Sequence, residues 1–191
     1  MESNFIEERS FERENYTGKA FEKGEYDNCT FVNCEFAESD LSENKFIECE
    51  FVGCNLSMAK LTNTAFRDVT FRDCKLLGLH FEHCNEFAFS LKFESCNLSH
   101  SSFYQKKLKK TFFWKSHLVE VDFTACDLTE AVFDECDLAN AQFENTNIEK
   151  ADFRTARNYS IDPEINRIKG ARFSLPAIIG LLDKYGLRID L

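Results

Sequence analysis

The sequence predicts a solenoid, a chain wound into stacked coils, and three observations carry that prediction. Between Val121 and Phe153 every fifth residue is bulky and apolar: Phe123, Leu128, Phe133, Leu138, Phe143, Ile148 and Phe153. Two places before each stands a small residue: Val121, Cys126, Ala131, Cys136, Ala141, Thr146 and Ala151. The three remaining columns are mostly polar, so neither the two-residue period of a strand nor the 3.6-residue period of a helix fits. A fixed short repeat with two inward columns can bury its apolar residues only by stacking copies of itself.

The same repeat opens near Phe11 and holds one phase through Phe81. Its central column reads Phe11, Tyr16, Phe21, Tyr26, Phe31, Phe36, Leu41, Phe46, Phe51, Leu56, Leu61, Phe66, Phe71, Leu76, Phe81. Arg9, Glu14 and Lys19 fill the small-residue column of the first repeats, which predicts an irregular first coil acting as a cap. The phase breaks over 82–92, where Phe81 and Phe93 stand two residues further apart than two repeats allow. A bulge or small loop over Glu86–Ser90 is expected there. From Phe93 the phase runs on through Leu98, Phe103, Leu108, Phe113 and Leu118. The nine cysteines test the register independently: all fall in the small-residue column, Cys84 with the first phase extended through Glu86. Cysteine behaves there as a small buried hydrophobe.

After Phe153 the pattern lapses and returns at Ile168–Phe173. Ser174 is a good N-cap, Pro176 suits a first turn and Gly186 a stop, so an α-helix is expected over Leu175–Tyr185. Its apolar positions Ile178, Ile179, Leu181, Leu182 and Tyr185 exceed one narrow stripe, which requires burial against something. The chain thus divides into a repeat domain, 1–173, and a terminal helix with its tail, 174–191.

Composition narrows the function. The 191 residues are 43% hydrophobic, with 21 Phe but only seven Gly and two Pro, which argues against low-complexity chain. A net charge of −10 disfavours nonspecific attraction to nucleic acid or anionic lipid. No apolar run approaches a membrane span, and the acidic start MESNFIEERS is unlike a signal peptide, so a cytoplasmic protein with neither membrane nor nucleic-acid partner is expected. The Cys29/Cys34 and Cys49/Cys54 pairs would point inward without further ligands, so core packing is expected and no metal. The histidines His80, His83, His100 and His117 fall in outward columns. No nucleophile elbow, zincin, phosphate-loop or dinucleotide motif occurs, so no enzyme chemistry and no cofactor are expected.

The repeats C-D-L-T-E, A-V-F-D-E and C-D-L-A-N resemble the pentapeptide-repeat family, whose consensus is A-(D/N)-L-x-x, over roughly residues 11–173. The resemblance implies an all-β fold, a right-handed quadrilateral β-helix with four pentapeptides per coil. Stacking residues twenty apart then lays like on like, with Phe93, Phe113, Phe133 and Phe153 in one ladder and Leu98, Leu118 and Leu138 in another. Roughly seven to eight coils at the usual strand spacing make a rod about 35–40 Å long.

Within the family, the size, near-continuous repeats, partway break and apolar terminus L-L-D-K-Y-G-L-R-I resemble the quinolone-resistance and microcin-immunity group. That likeness implies a protein that binds a type II topoisomerase, DNA gyrase or topoisomerase IV, where duplex DNA would lie, and relieves drug poisoning. It also implies a homodimer through the C-terminal end, with Ile178, Ile179, Leu181, Leu182 and Tyr185 at the contact; a cap for one chain alone is the alternative. The long loops of the group's plasmid-borne members are missing, which leaves inhibition without protection open.

Surface charge is where the residues themselves speak to this. From Glu120 to Asp152 ten acidic residues stand against one basic, and Glu120, Asp122, Asp127, Glu130, Asp134, Glu135 and Asp137 are the candidate partner-binding surface. From Glu22 to Glu50 the count is nine against two. Such charge can stand where a protein expects phosphates, or can simply keep a repeat surface soluble. Lys106, Lys107, Lys109, Lys110 and Lys115 around Phe112 and Trp114 depart from the acidic rule. They form either a partner-binding patch or a neutralising band for neighbouring acidic coils. A structural or scaffolding repeat protein with an unrelated partner is the competing function.

Overall fold

The computed structural model describes residues 4–188, which form a right-handed quadrilateral β-helix of about seven parallel turns. One turn takes twenty residues: Asn4–Glu7 (β1) lies on Gly24–Asp27 (β3), that on Lys45–Ile47 (β5), and that on Ala65–Arg67 (β7). The adjoining face stacks seven strands in chain order: Ser10–Glu12 (β2), Thr30–Val32 (β4), Glu50–Val52 (β6), Val69–Arg72 (β8), Leu91–Glu94 (β9), Phe112–Trp114 (β10) and Val132–Asp134 (β11). The other two faces are tied by single parallel bridges, such as Glu35↔Asn55 and Ser102↔Asp122.

The central column fills the interior. Phe93 stacks on Phe113 at 5.1 Å, and Phe133 on Phe153 at 4.7 Å. A second ladder, from Phe81 through Phe103 and Phe123 to Phe143, meets the first edge to face, with Phe113 and Phe123 at 6.0 Å and 80°. Edge-to-face contact suits the ring quadrupole, and buried leucines such as Leu98, Leu118 and Leu138 fill the rest of the square bore.

Corners are built by the two polar columns. Two places after nearly every central residue the backbone turns left-handed, as at Asn33 (φ 52°), Glu120 (φ 56°) and Lys150 (φ 58°). The N–H three places after the central residue then closes a turn on its carbonyl, as Lys106 does on Phe103 at 2.8 Å. The Asp or Asn of the consensus holds that turn from the other side. Asp122 accepts from Thr124 N–H at 2.8 Å, Asp127 from Thr129 at 3.1 Å, and Asn147 from Glu149 at 3.1 Å.

The small-residue column is more than apolar filler. Cys126 Sγ donates to Phe103 O at 2.8 Å, Thr146 Oγ1 to Phe123 O at 2.8 Å, and Ser101 Oγ to Leu76 O at 2.7 Å. Cysteine, serine and threonine therefore share one task, bonding a carbonyl of the previous coil. Reading these thiols as plain hydrophobes misses that bond.

At the break, pairing resumes with a shift of two: Val69 faces Leu91 and Phe71 faces Phe93. Asn85 N–H reaches Thr64 O at 2.9 Å and Ser90 N–H reaches Phe66 O at 3.1 Å, so the residues between them bow outward without cutting the stack. Phe87 projects from this bow, 70% exposed, under the Arg67 guanidinium at 4.9 Å.

The expected terminal α-helix is not formed. Residues 175–185 wind instead as short 3-10 segments, Ile178–Leu181 and Asp183–Tyr185. Gly180 explains why. Its Cα lies so close to the Tyr159 carbonyl that an added Cβ would sit 2.0 Å from that oxygen, while Gly180 O accepts Ile161 N–H at 2.9 Å. The segment is shaped by pressing a glycine onto the last coil rather than by its own helical ladder.

Candidate partner-binding surface

Folding a twenty-residue turn onto four faces distributes the acidic run around the rod. Asp134 and Glu135 belong to the face of β10 and β11, and Asp137 and Glu120 to the next. Asp122 lies on a third face and Asp127 and Glu130 on a fourth. Consecutive acids in sequence are therefore not neighbours on one patch. Neighbours on the surface are residues about twenty apart.

That spacing joins the two candidate clusters to each other. Lys109 meets Asp127 at 3.2 Å, Lys110 meets Glu130 at 3.8 Å, and Lys115 meets Glu135 at 3.8 Å. His100 lies 3.1 Å from Glu120, and Arg157 lies 3.6 Å from Asp137. Exposed pairs of this kind are worth at most about 1 kcal/mol each, yet they cancel the local field. Asp134 accepts the Thr155 hydroxyl at 2.7 Å. Asp122 and Asp127 are half-buried and spent partly on their own turns. Burial would raise the Asp127 carboxyl, but bonds from Thr129 and the Lys109 ammonium outweigh it and hold it below its ordinary value.

Within the basic cluster, Lys107, Lys109, Lys110 and Lys115 are exposed, and Phe112 and Trp114 are half-buried on the outer face. The Lys92 ammonium lies 5.7 Å from the Phe112 ring centre, and the Lys115 ammonium 4.7 Å from that of Trp114. Lys106 is not a surface residue. It stands two places before Leu108, in the small-residue column, and is only 3% exposed. Its column was readable from the sequence, but its neighbours' charge drew it into the patch.

A row of unpaired acids lies in the N-terminal half. Glu8, Glu48 and Asp68 share one corner column, with Asn28 between the first two. Among the described residues none of the three has an ion-pair partner, in contrast to Glu25 with Lys45, Glu43 with Lys23 and Glu50 with Arg72. No charge count along the chain isolates them; only folding it in twenties does.

At the C-terminal end, Ile178 and Tyr185 are exposed, while Ile179, Leu181 and Leu182 are half-buried, Leu181 against the chain's own core. Leu175 is 85% exposed, and Leu187 is exposed as well. The Tyr185 hydroxyl donates to Glu164 at 2.8 Å, and Lys184 bonds Asp162 at 2.7 Å, which ties the segment to its own last coil. Among the described residues no helix is long and apolar enough to cross a membrane, and no cluster of His, Cys, Asp and Glu could hold a metal ion.

A four-sided parallel coil built on A-(D/N)-L-x-x defines the class, and the chain belongs to the pentapeptide repeat family, matching its repeat region over residues 25–88 and 79–153. Among solved structures it is similar to a trypsin-treated variant of QnrB1, a plasmid-mediated fluoroquinolone resistance protein, at 19% identity and TM-score 0.62, over 98% of each chain. A second trypsin-treated variant of QnrB1 matches at 19% identity and TM-score 0.62, over 99% of this chain and 100% of that one. Full-length QnrB1 matches at 18% identity and TM-score 0.51, over 96% and 100%. At such identity the likeness is one of fold. No match was found among curated proteins.

Proposed function

We propose that this protein is a DNA-mimicking partner of a type II topoisomerase, DNA gyrase or topoisomerase IV, and protects it from quinolone-type poisons. The observation that carries the reading is the row of unpaired carboxylates Glu8, Glu48 and Asp68, at multiples of about 4.8 Å along one corner of a rod. Negative charge along a rigid axis, interrupted here once by Asn28, presents a basic DNA channel with what it ordinarily meets in phosphates. The fold shared with a fluoroquinolone resistance protein over nearly the whole of both chains supports it. A scaffold with an unrelated partner is the second reading, favoured by the lysines that neutralise the C-terminal acids.

The test is gyrase supercoiling and drug-stabilised cleavage with the unaltered protein and with Glu8→Lys/Glu48→Lys/Asp68→Lys. Lysine already occupies the same left-handed corner at Lys110, Lys115 and Lys150, so this reversal spares the fold. Reversing Asp127 or Asp137 would remove turn bonds and confuse loss of charge with loss of structure. The unaltered protein is expected to inhibit supercoiling in a salt-sensitive way and to relieve cleavage, and the triple variant to do neither. No effect of the unaltered protein would refute the reading. Inhibition without relief would leave a mimic that does not protect.

The C-terminal end is the proposed two-fold contact. Leu175→Glu together with Ile178→Glu places two charges on its exposed apolar side chains and should convert a dimer to a monomer in sedimentation. A monomeric unaltered protein at micromolar concentration would refute the contact.

A further inference from the structure

The two-residue surplus at the break leaves a cavity of about 70 Å³ beneath the bow, lined by Glu86, Phe89, Gln105, Lys106 and Lys107. Lys106 is the one charged residue among the buried polar side chains of the described chain. Its ammonium donates to Cys84 O at 2.7 Å and lies 5.5 Å from the Phe89 ring centre. In the regular ladder that carbonyl would receive a backbone N–H from the next coil, as Lys106 O does from Asp127. The lysine has taken over a bond that the break released. An ammonium has three protons, however, and among the described residues no carboxylate forms an ion pair with this one. A buried charge is ordinarily paired, because the low-dielectric interior penalises a lone one by several kcal/mol. Elsewhere the column's Cys126, Thr146 and Asn166 bond the carbonyl of the central residue one coil back, so Lys106 reaches a carbonyl that these shorter, uncharged side chains do not.

We infer that the cavity is a binding site for a small aliphatic monocarboxylate. Lys106 supplies the buried counter-charge, the Gln105 amide is a second donor, and the Phe89 ring is an apolar wall for the alkyl end. A cavity needs about 10–15 Å³ of such space to admit even one water, so about 70 Å³ admits only a very small ligand such as acetate. Glu86 and Lys107 in the lining offset one another, so phosphate is disfavoured by the small volume and the apolar Phe89 wall rather than by charge.

The probes are acetate and inorganic phosphate, titrated against chloride at constant ionic strength and followed by calorimetry and by the Lys106 Cε resonance of labelled protein. Acetate should bind saturably in about the millimolar range expected of so small a ligand, and phosphate should not. Lys106→Met should weaken acetate about ten- to hundredfold, the range of a charge-assisted hydrogen bond. Glu86→Gln should tighten it, since a repelling charge is removed. Should the methionine variant fail to fold, the resonance in the unaltered protein and the Glu86→Gln shift still decide. No saturable response, equal binding of phosphate, or weaker binding in Glu86→Gln would overturn the assignment.

Discussion

Phe133 sits at the middle of the aromatic bore, and truncating it tests the stack directly. Its ring lies between Phe113 at 4.9 Å and Phe153 at 4.7 Å, with Phe123 and Phe143 edge-on at 5.8 Å and 6.4 Å. Phe133→Ala removes all four contacts and leaves a cavity that cannot close, because backbone hydrogen bonds hold the rungs at strand spacing. The cost should fall toward the upper end of the roughly 3–5 kcal/mol typical of a buried phenylalanine. Phe173 provides the internal comparison. It is half-buried and meets only Phe153 at 5.4 Å and Tyr159 at 5.6 Å, so Phe173→Ala should cost about 2 kcal/mol. With a urea slope near 2 kcal/mol per molar, the midpoints should fall by about 2 M and about 1 M. Both variants must be followed by one probe, since solenoids can unfold piecewise. Equal shifts, or a larger one for Phe173→Ala, would show that the load is not carried by ring stacking.

Two further perturbations probe the small-residue column. Cys126→Ser should be nearly neutral, because Thr146 makes the equivalent bond one coil on, whereas Cys126→Ala should lose about 1 kcal/mol with that bond; the reverse order in urea would return the thiol to plain packing. Burial pushes the thiols of Cys49, Cys126 and Cys136 up to about 12 from 9.0. A folded-state pKa raised above the unfolded one gives stability that is complete below pH 9 and is lost as pH climbs from 9 toward 12. Asp152 and Glu94, held low by Arg154 and by Lys92 with Arg72, act with the opposite sign and lose their contribution as pH falls below the ordinary carboxylate range. Thermal unfolding against pH should therefore show a plateau with both flanks falling, and an unchanged midpoint between pH 8 and 11 would contradict the buried thiols.

The fold was legible because a five-residue period leaves no competing structure, and nine cysteines in one column fixed its phase. Even the break could be placed, from the two-residue surplus before Phe93. The terminal segment was not legible in the same way. Ser174, Pro176 and Gly186 are sound helix punctuation, but Gly180 is there for a tertiary approach to Tyr159 that local signals do not encode. The thiol donors were missed for a related reason: a column position reveals that a side chain is buried, not which carbonyl waits beside it.

The surface was the least legible part, and the cause is geometric. A patch is a set of neighbours in space, and on a square coil the neighbours along the rod stand twenty apart while adjacent pentapeptides look out on different faces. Counting charge along the chain from Glu120 to Asp152 therefore collects acids from all four sides and overlooks the lysines stacked against them, Lys110 on Glu130 and Lys115 on Glu135. Folding the charges in twenties brings out a row of unpaired acids in the opposite half of the rod, at Glu8, Glu48 and Asp68. It also removes Lys106 from the outside altogether. The corner column that holds those acids is negative only from Glu8 to Asp68, with Asn28 between, and turns mixed where Lys110, Glu130 and Lys150 follow, so a partner that reads this rod by charge would meet it at its N-terminal half.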